Sequence, residues 1–115
     1  MANFIAPSFV RFLKTLESQR TKNPCKDLDA TEINLLHFVL VASEINERIL
    51  VGDLLKLSHY GSQATLHAKV KGLVSKGFLI LQSNSDDGRQ KFVIPSKTAI
   101  KYSSFMSDCL SKSAN

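Results

Sequence analysis

The stretch that decides the fold runs from Gly52 to Pro95 and reads GDLLKLSHYGSQATLHAKVKGLVSKGFLILQSNSDDGRQKFVIP. It contains a short apolar segment, a glycine-containing turn, a basic segment with helical periodicity, and two β-prone runs joined by Asp86-Asp87-Gly88-Arg89. This order is typical of a helix-turn-helix followed by a β-hairpin wing. A helix shaped for the major groove, with an arginine loop beside it, is a surface suited to duplex DNA.

The second helix of this unit has recognisable signals at both ends. Ser62 is a good N-cap, and Gly61 before it can adopt a left-handed backbone in the turn. Gly77 stands where a helix C-cap belongs. Between these signals one helical face carries Leu66, Val70, Leu73 and Val74. The sequence therefore predicts an amphipathic helix whose other face is free to dock.

The N-terminal half of that helix is where base reading is expected. A helix docked in the major groove presents its first residues to bases and phosphates. Gln63 can pair with adenine, His67 can bond to a base edge or a phosphate, and alanines can meet thymine methyl groups. The free amides after Ser62 can also hold a phosphate. The predicted DNA-binding residues are Ser62, Gln63, Ala64, Thr65, His67, Ala68, Lys71, Arg89 and Lys91.

The wing is predicted to present an arginine. Asp86-Asp87-Gly88 is expected to reverse the chain, leaving Arg89 near the tip and Lys91 on the returning strand. A guanidinium at a protruding tip suits a narrow minor groove, whose negative potential attracts arginine. Asp87 can brace this arginine. The alternative is an ordinary Asp-Gly hairpin with a solvated charge pair.

The charge is unevenly distributed along the chain. The net charge is +5, and residues 1–53 carry six Lys/Arg against seven Asp/Glu, whereas residues 54–115 carry nine against three. No carboxylate occurs from residue 54 to residue 85, the stretch that holds the turn and the basic helix. A basic face favours polyphosphate partners through counterion release. A solvated basic surface without a partner is the alternative.

The flanking segments complete a small α+β domain that is mainly helical. Asp29 and Glu32 have capping-box spacing, and the helix that follows is apolar nearly all round, which is typical of a buried central helix. At 115 residues the chain is expected to form a single winged-helix domain. Its predicted segments are an N-terminal helix (7–20), a core helix (29–46), the helix-turn-helix (50–76), the wing (78–95) and a C-terminal helix (97–111).

The first and last helices carry more apolar surface than one short domain readily hides. Burying that surface between two subunits would place the two recognition helices about one DNA turn, roughly 34 Å, apart. We therefore expect a homodimer. The predicted dimerisation residues are Phe9, Phe12, Leu13, Leu16, Tyr102, Phe105, Met106 and Leu110.

Other functional classes lack support in the sequence. Cys25 and Cys109 make neither a disulfide framework nor a zinc-ligand set, so no metal is expected. The five glycines form no phosphate-binding loop and no nucleophile-and-base arrangement is evident, so neither an enzyme nor a cofactor is expected. No run approaches the roughly 20 apolar residues of a membrane span and no signal peptide is visible. The expectation is a cytoplasmic chain without a membrane partner.

Five segments between residues 28 and 110 resemble winged-helix regulators of the MarR (multiple antibiotic resistance regulator) type. They are LDATEINLL (28–36), ILVGDL (49–54), SQATL (62–66), LVSKGFL (73–79) and DGR (87–89). The Asp-x-Arg wing decides this resemblance. It implies a dimeric bacterial or phage-encoded transcriptional regulator that binds a near-palindromic operator with two recognition helices and two wings. It also implies dimerisation through the first and last helices, often with a small effector near that junction, for which the residues themselves give no signal.

Some positions depart from the family pattern. Ala68 and Gly72 stand where arginines are common, Lys69 stands where apolar residues are common, and Leu50 stands where a threonine N-cap is expected. Tyr60 lies in a turn that is one residue longer, and is either a core plug or a phosphate contact.

The predicted function is sequence-selective binding of double-stranded DNA to regulate transcription, by repression rather than activation. One alternative is a protein-interaction module or anti-repressor, because Ala64, Ala68 and Gly72 form a small-residue stripe against which another helix can pack. A second is a redox or ligand sensor built on the same fold; the redox version is considered because Cys25 lies between two lysines that could lower its thiol pKa.

Overall fold

The computed structural model describes residues 6–114 and contains, within that range, five α-helices and three β-strands. The helices are α1 (Pro7–Ser18), α2 (Ala30–Glu44), α3 (Val51–Leu55), α4 (Gln63–Ser75) and α5 (Lys97–Ser113). The strands are β1 (Ile49–Leu50), β2 (Leu79–Ser83) and β3 (Lys91–Pro95). The predicted fold class, a mainly helical α+β winged helix, is confirmed.

The sheet has one strand more than the predicted hairpin. Its order is β1-β3-β2 with both pairs antiparallel, and Val93 of β3 lies opposite Ile49 on one side and Leu81 on the other. The sequence predicts Leu50 at the start of the helix-turn-helix, whereas in the structure it belongs to β1 and precedes α3. A two-residue strand is too short to show the period-2 alternation by which strands are recognised.

The contacts divide the chain into two compact units. One unit is Leu28–Ile100, and the other combines the described residues of the two ends, 6–27 and 101–114. The centre of the first unit is formed by leucines of α2, α3 and α4 that have no exposed surface: Leu35, Leu36, Leu54, Leu66 and Leu73. The helix-turn-helix is thus fixed on α2, which positions α4.

Helix α2 begins as its sequence predicts. Asp29 Oδ1 accepts from the Glu32 backbone N–H at 2.8 Å, and Glu32 Oε1 accepts from the Asp29 backbone N–H at 3.1 Å, which forms the capping box. The expectation of a buried central helix holds for only one side of α2, which buries Leu35, Leu36 and Val39. Its outer side exposes Phe38 and Val41, and the C-cap residue Ile45 is exposed as well, with 37%, 64% and 63% of their surface accessible.

The two ends of α4 also follow the sequence prediction. Ser62 Oγ accepts from the Thr65 backbone N–H at 3.2 Å. At the other end Gly77 has φ 85°, and the Phe78 N–H donates to the Leu73 carbonyl at 2.8 Å, as in a Schellman motif. Both ends are therefore set by local residues.

No helix among residues 6–114 combines the length and the apolar character that crossing a membrane would need.

Candidate nucleic-acid interface

Helix α4 is held against the first turn of α2 by two ion pairs. Lys69 Nζ donates to Asp29 Oδ2, and Lys76 Nζ donates to both carboxylate oxygens of Glu32, at 3.1 and 2.9 Å. Glu32 is 3% exposed, so its carboxylate lies inside this junction. The capping box of α2 therefore also anchors the proposed recognition helix.

Gly72 belongs to the same junction. A Cβ at this position would lie 3.1 Å from Glu32 Oε2, so the absence of a side chain is what admits the carboxylate. This corrects the small-residue stripe expected on the outer face, because Gly72 is half-buried while Ala64 and Ala68 are exposed. A helical wheel places Gly72 on the outer face of α4, but it does not show that α2 packs against that part of the helix.

The ion pair between Lys69 and Asp29 explains why a lysine stands where apolar residues are common. Their hydrogen bond lowers the pKa of the Asp29 carboxyl and raises the pKa of the Lys69 ammonium. Sequence reasoning missed this contact. Asp29 and Glu32 share a helical face, as do Lys69 and Lys76, but nothing in the sequence states that these two faces meet.

The outer surface of α4 carries the predicted base-reading residues. Leu66 and Val70 face the core. The predicted DNA-binding residues of the helix and its cap are all exposed, namely Ser62, Gln63, Ala64, Thr65, His67, Ala68 and Lys71. No carboxylate among residues 6–114 lies within ion-pair distance of Lys71, in contrast to Lys69. The lysine that faces outward is therefore available to a phosphate.

The wing loop is organised around Asp87. Its carbonyl accepts from the Gln90 N–H at 3.0 Å, and its Oδ1 accepts from the Arg89 backbone N–H at 3.0 Å. The reversal thus runs over Asp87–Gln90, one residue later than predicted, and Gly88 needs no left-handed backbone there. A second brace, missed by the sequence analysis, is the Asn84 side-chain amide, which donates to Gln90 Oε1 at 3.0 Å.

Arg89 projects from this loop. Its side chain is 93% exposed, and its Nε contacts Asp87 Oδ1 at 3.3 Å. Lys91, at the start of β3, donates from Nζ to Ser83 Oγ at 2.8 Å across the hairpin. Lys91 is therefore held along the strands, whereas Arg89 extends into solvent.

A groove of about 850 Å³ lies between α3, α4 and the wing. Helix α4 contributes His67 and Lys71 to its lining, and the wing contributes Arg89 and Lys91. Four of the nine predicted DNA-binding residues therefore border one concave surface. Its lining holds one carboxylate, Asp53, whose Oδ2 accepts from the Leu50 backbone N–H at 2.8 Å. That hydrogen bond is the half of a capping box that the N3 residue makes, whereas Leu50 has no side-chain oxygen to accept from the amides of the first turn of α3.

The turn before α4 contains an aromatic pair. The rings of His59 and Tyr60 are tilted by 44° with centroids 4.0 Å apart. Tyr60 is half-buried and His59 is exposed. Tyr60 is therefore partly covered by the protein and partly accessible to a partner.

The predicted dimerisation residues divide by exposure. Phe9, Leu13 and Leu110 are 58%, 47% and 57% exposed. Four more are half-buried, namely Phe12, Leu16, Phe105 and Met106. The prediction was wrong for Tyr102, because it is 4% exposed and its surface is already covered. Burial, with a further contribution from Cys25, raises the pKa of Tyr102 to about 12.

The cysteines do not provide the sensor considered from the sequence. Cys25 is 2% exposed, and burial raises its pKa to about 12, the opposite of a lowered thiol pKa. Cys109 is buried as well. Within residues 6–114 no three His, Cys, Asp or Glu side chains come together to hold a metal ion.

No protein-family model matches this chain, and no curated protein matches it. Solved structures do share its fold. A MepR–DNA complex from S. aureus has a TM-score of 0.66 at 13% identity, over 90% of this chain and 83% of that chain. The adhesin competence repressor AdcR of Streptococcus pyogenes gives 0.54 at 20% identity, over 90% and 72%. A transcriptional regulator from Thermotoga maritima gives 0.60 at 16% identity, over 90% and 73%.

These structural neighbours are winged-helix transcriptional regulators of the MarR type, and none of them is an enzyme. Each alignment covers 90% of this chain and so includes most of its length, not the helix-turn-helix alone. The resemblance first seen in five short segments therefore extends to the architecture. The chain has the winged-helix fold of the MarR-type regulators.

Proposed function

We propose that this protein is a sequence-selective, double-stranded DNA-binding regulator of transcription that acts as a repressor. Helix α4 docks in the major groove and Arg89 of the wing enters the adjacent minor groove. The observation that carries this proposal is the shared groove, which His67 and Lys71 of α4 border together with Arg89 and Lys91 of the wing. A helix and a wing that flank one concave surface can follow a duplex across both of its grooves.

The distribution of ion pairs supports the same orientation. Lys69 and Lys76 are paired with carboxylates of α2, so their charge is compensated within the protein. Lys71 is not paired within residues 6–114, and Arg89 is almost fully exposed. Two cations that remain available, Lys71 and Arg89, therefore lie on the surface that we assign to DNA, where counterion release contributes to binding.

We further propose that two copies bind together through the unit formed by residues 6–27 and 101–114. Phe9, Phe12 and Leu110 line an open apolar depression of about 470 Å³ in this unit. Exposed apolar surface of this kind marks association sites in proteins. A second copy would cover it and would present two α4 helices to consecutive turns of the duplex.

The protein-interaction alternative has lost part of its basis. Its motivation was a stripe of three small residues on α4, and Gly72 faces Glu32 and not a partner. Retention of random duplex on a filter at low salt separates the two functions, because a DNA binder shows retention that falls as salt rises.

Arg89→Ala tests the role of the wing. We expect its affinity for duplex DNA to fall about tenfold or more, because an arginine contact with the duplex is lost. The slope of log affinity against log salt should flatten by about one unit per subunit. Fluorescence anisotropy of a labelled duplex between low and moderate salt measures both quantities.

The matched control is Lys101→Ala, which removes an exposed cation of α5 outside the groove lining. This variant should keep the wild-type slope. Equal affinity and slope for wild type and Arg89→Ala would show that the wing does not contact DNA.

A further inference from the structure

One edge of the sheet is open. The strand order β1-β3-β2 leaves β2 with a neighbour on one side only among the described residues. Four of its five residues are exposed, including Ile80 at 45% and Leu81 at 39%. The backbone N–H and C=O groups along such an edge can pair with a further strand. We propose that β2 is an interface at which a second copy of this chain adds its own β2 in antiparallel orientation.

The hydrogen bonds of the hairpin identify which groups of β2 point outward. At one end the Ser96 N–H donates to the Phe78 carbonyl at 3.0 Å. At the other end the Asn84 N–H donates to the Gln90 carbonyl at 3.1 Å. In an antiparallel pair, residues bonded to the partner strand alternate with residues that point away from it. The even-numbered residues therefore point to β3. The odd-numbered residues direct their backbone groups to the open edge, and they are Leu79, Leu81 and Ser83.

This spacing is self-complementary. Two antiparallel copies of β2 use all three outward residues when a two-fold axis passes at Leu81. Leu81 then pairs with Leu81 of the second copy, and Leu79 pairs with its Ser83. A register shifted by two residues would leave one outward residue of each strand unpaired. In the two-fold arrangement Ile80 also lies opposite Gln82 of the second copy, so that both exposed aliphatic residues of β2 gain a neighbour.

The composition of β2 also fits a second copy. Proteins commonly protect an open edge with a charged side chain, a proline or a bulge. The strand LILQS contains no charge and no proline, and its pairing with β3 runs without a bulge from Leu79 to Ser83. Like charges opposite each other on paired strands are destabilising. Two copies of this strand meet without that cost.

The charges that flank β2 select the antiparallel orientation. Lys76 stands three residues before the strand and Asp86 three residues after it. Asp86 is exposed, and Lys76 has 46% of its side chain exposed although it holds Glu32. Antiparallel pairing brings the basic flank of each copy towards the acidic flank of the other, twice in one dimer. Parallel pairing would bring like charges together.

The contact is expected to be weak and distinct from the dimer proposed above. Two five-residue strands bury much less than the roughly 1,200–2,000 Å² of stable interfaces. Pairing therefore requires concentrations well above micromolar. It uses no residue assigned to the proposed dimer. Two different isologous interfaces on one chain link dimers into larger assemblies.

Cysteine substitution tests the register. A disulfide requires Cα atoms less than about 7 Å apart. Residue 80 of one copy and residue 82 of the other form a non-hydrogen-bonded pair, with Cα atoms about 4.5 Å apart. Each of these residues lies diagonally from its own counterpart, at about 7–8 Å. Residue 81 meets its counterpart at about 5.5 Å.

An equal mixture of Ile80→Cys and Gln82→Cys, oxidised mildly with oxidised glutathione, should give at least about tenfold more cross-linked product than either variant alone. Leu81→Cys should cross-link by itself. Wild type is the control, because Cys25 and Cys109 are each only 2% exposed. Mass spectrometry identifies the two chains in the product. Equal yields from the mixture and from the single variants would overturn the proposal, as would absence of product.

Sedimentation velocity from micromolar to millimolar concentration provides a second test. Leu13→Glu, which weakens the other proposed interface, should move from one chain towards two as concentration rises. Adding Leu81→Lys should abolish this association, because two ammonium groups would meet at the axis. Adding Ile80→Lys, the same change at the neighbouring residue, should retain most of it because Gln82 lies opposite. Thermal unfolding shows whether each variant keeps its fold.

Unchanged association of the Leu81→Lys variant would overturn the interface, and so would equal loss in the Ile80→Lys variant. A mass of one chain for Leu13→Glu at every concentration would overturn it as well. No DNA enters either experiment, so the two tests decide the interface whether or not the proposed function holds.

Discussion

At the scale of single residues, Gly61 shows how one position controls the turn before the recognition helix. Its φ is 153°, a backbone conformation that residues with a side chain rarely adopt. A Cβ there would also lie 3.3 Å from Thr65 Cγ2. A side chain at this position would therefore need both an unfavourable backbone conformation and a small shift of Thr65.

Gly61→Ala should therefore lower the free energy of unfolding by about 1–2 kcal/mol, since both the backbone and the Thr65 contact are strained. Gly88→Ala is the control, because Gly88 lies in open space with no left-handed φ. It should be neutral or slightly stabilising. Urea unfolding gives both values, and equal stability of the two variants would contradict this description of the turn.

What the sequence could predict at this scale depends on where the cause of a feature lies. The cap at Ser62 and the left-handed Gly77 were predicted because a cap depends on residues close by in the chain. The burial of Tyr102 and Cys25 was not predicted, because it depends on which segments pack over them. A helical stripe shows that a side chain is apolar and does not show what covers it.

At the scale of elements, α4 has a side that faces α2 and a side that faces outward, and both carry lysines. Lys69 pairs with Asp29, whereas Lys71, two residues along the helix, is exposed and unpaired among the described residues. Charge counting along the chain treats these lysines as equal. Their contacts give them different roles.

Lys71→Ala should weaken DNA binding and flatten its salt dependence by about one unit per subunit, because one phosphate contact is lost. Lys69→Ala should keep the salt slope, because its ammonium is already paired with a carboxylate of the protein. Anisotropy titrations at several salt concentrations compare the two variants. The opposite ranking would mean that α4 is presented to DNA by its other side.

The elements themselves were largely predictable and their pairing was not. Period-3.6 patterns indicated all five helices, including the short α3, to within a few residues. Period-2 patterns together with the turn residues indicated the hairpin. Strand β1 and the lysine–carboxylate pairs between α4 and α2 were missed, because both arise from contacts between segments far apart in the chain.

At the scale of the whole molecule, the proposal requires two copies. Light scattering at micromolar concentration should give about twice the 12.7 kDa of one chain. Leu13→Glu should shift the mass towards one chain, because it places a carboxylate on an exposed apolar stripe of α1. Ser18→Glu adds the same charge on the other side of that helix and should leave the mass unchanged. A single-chain mass for wild type would refute the dimer.

The central claim is that the outer face of α4 and the wing arginine form one surface that reads duplex DNA. Selection of bound sequences from a random duplex pool tests it most directly, because it reports binding, sequence preference and half-site spacing together. We predict enrichment of a near-palindromic motif with half-sites about one helical turn apart, and loss of base preference in Gln63→Ala or His67→Ala. A pool that remains random after repeated rounds would contradict the account.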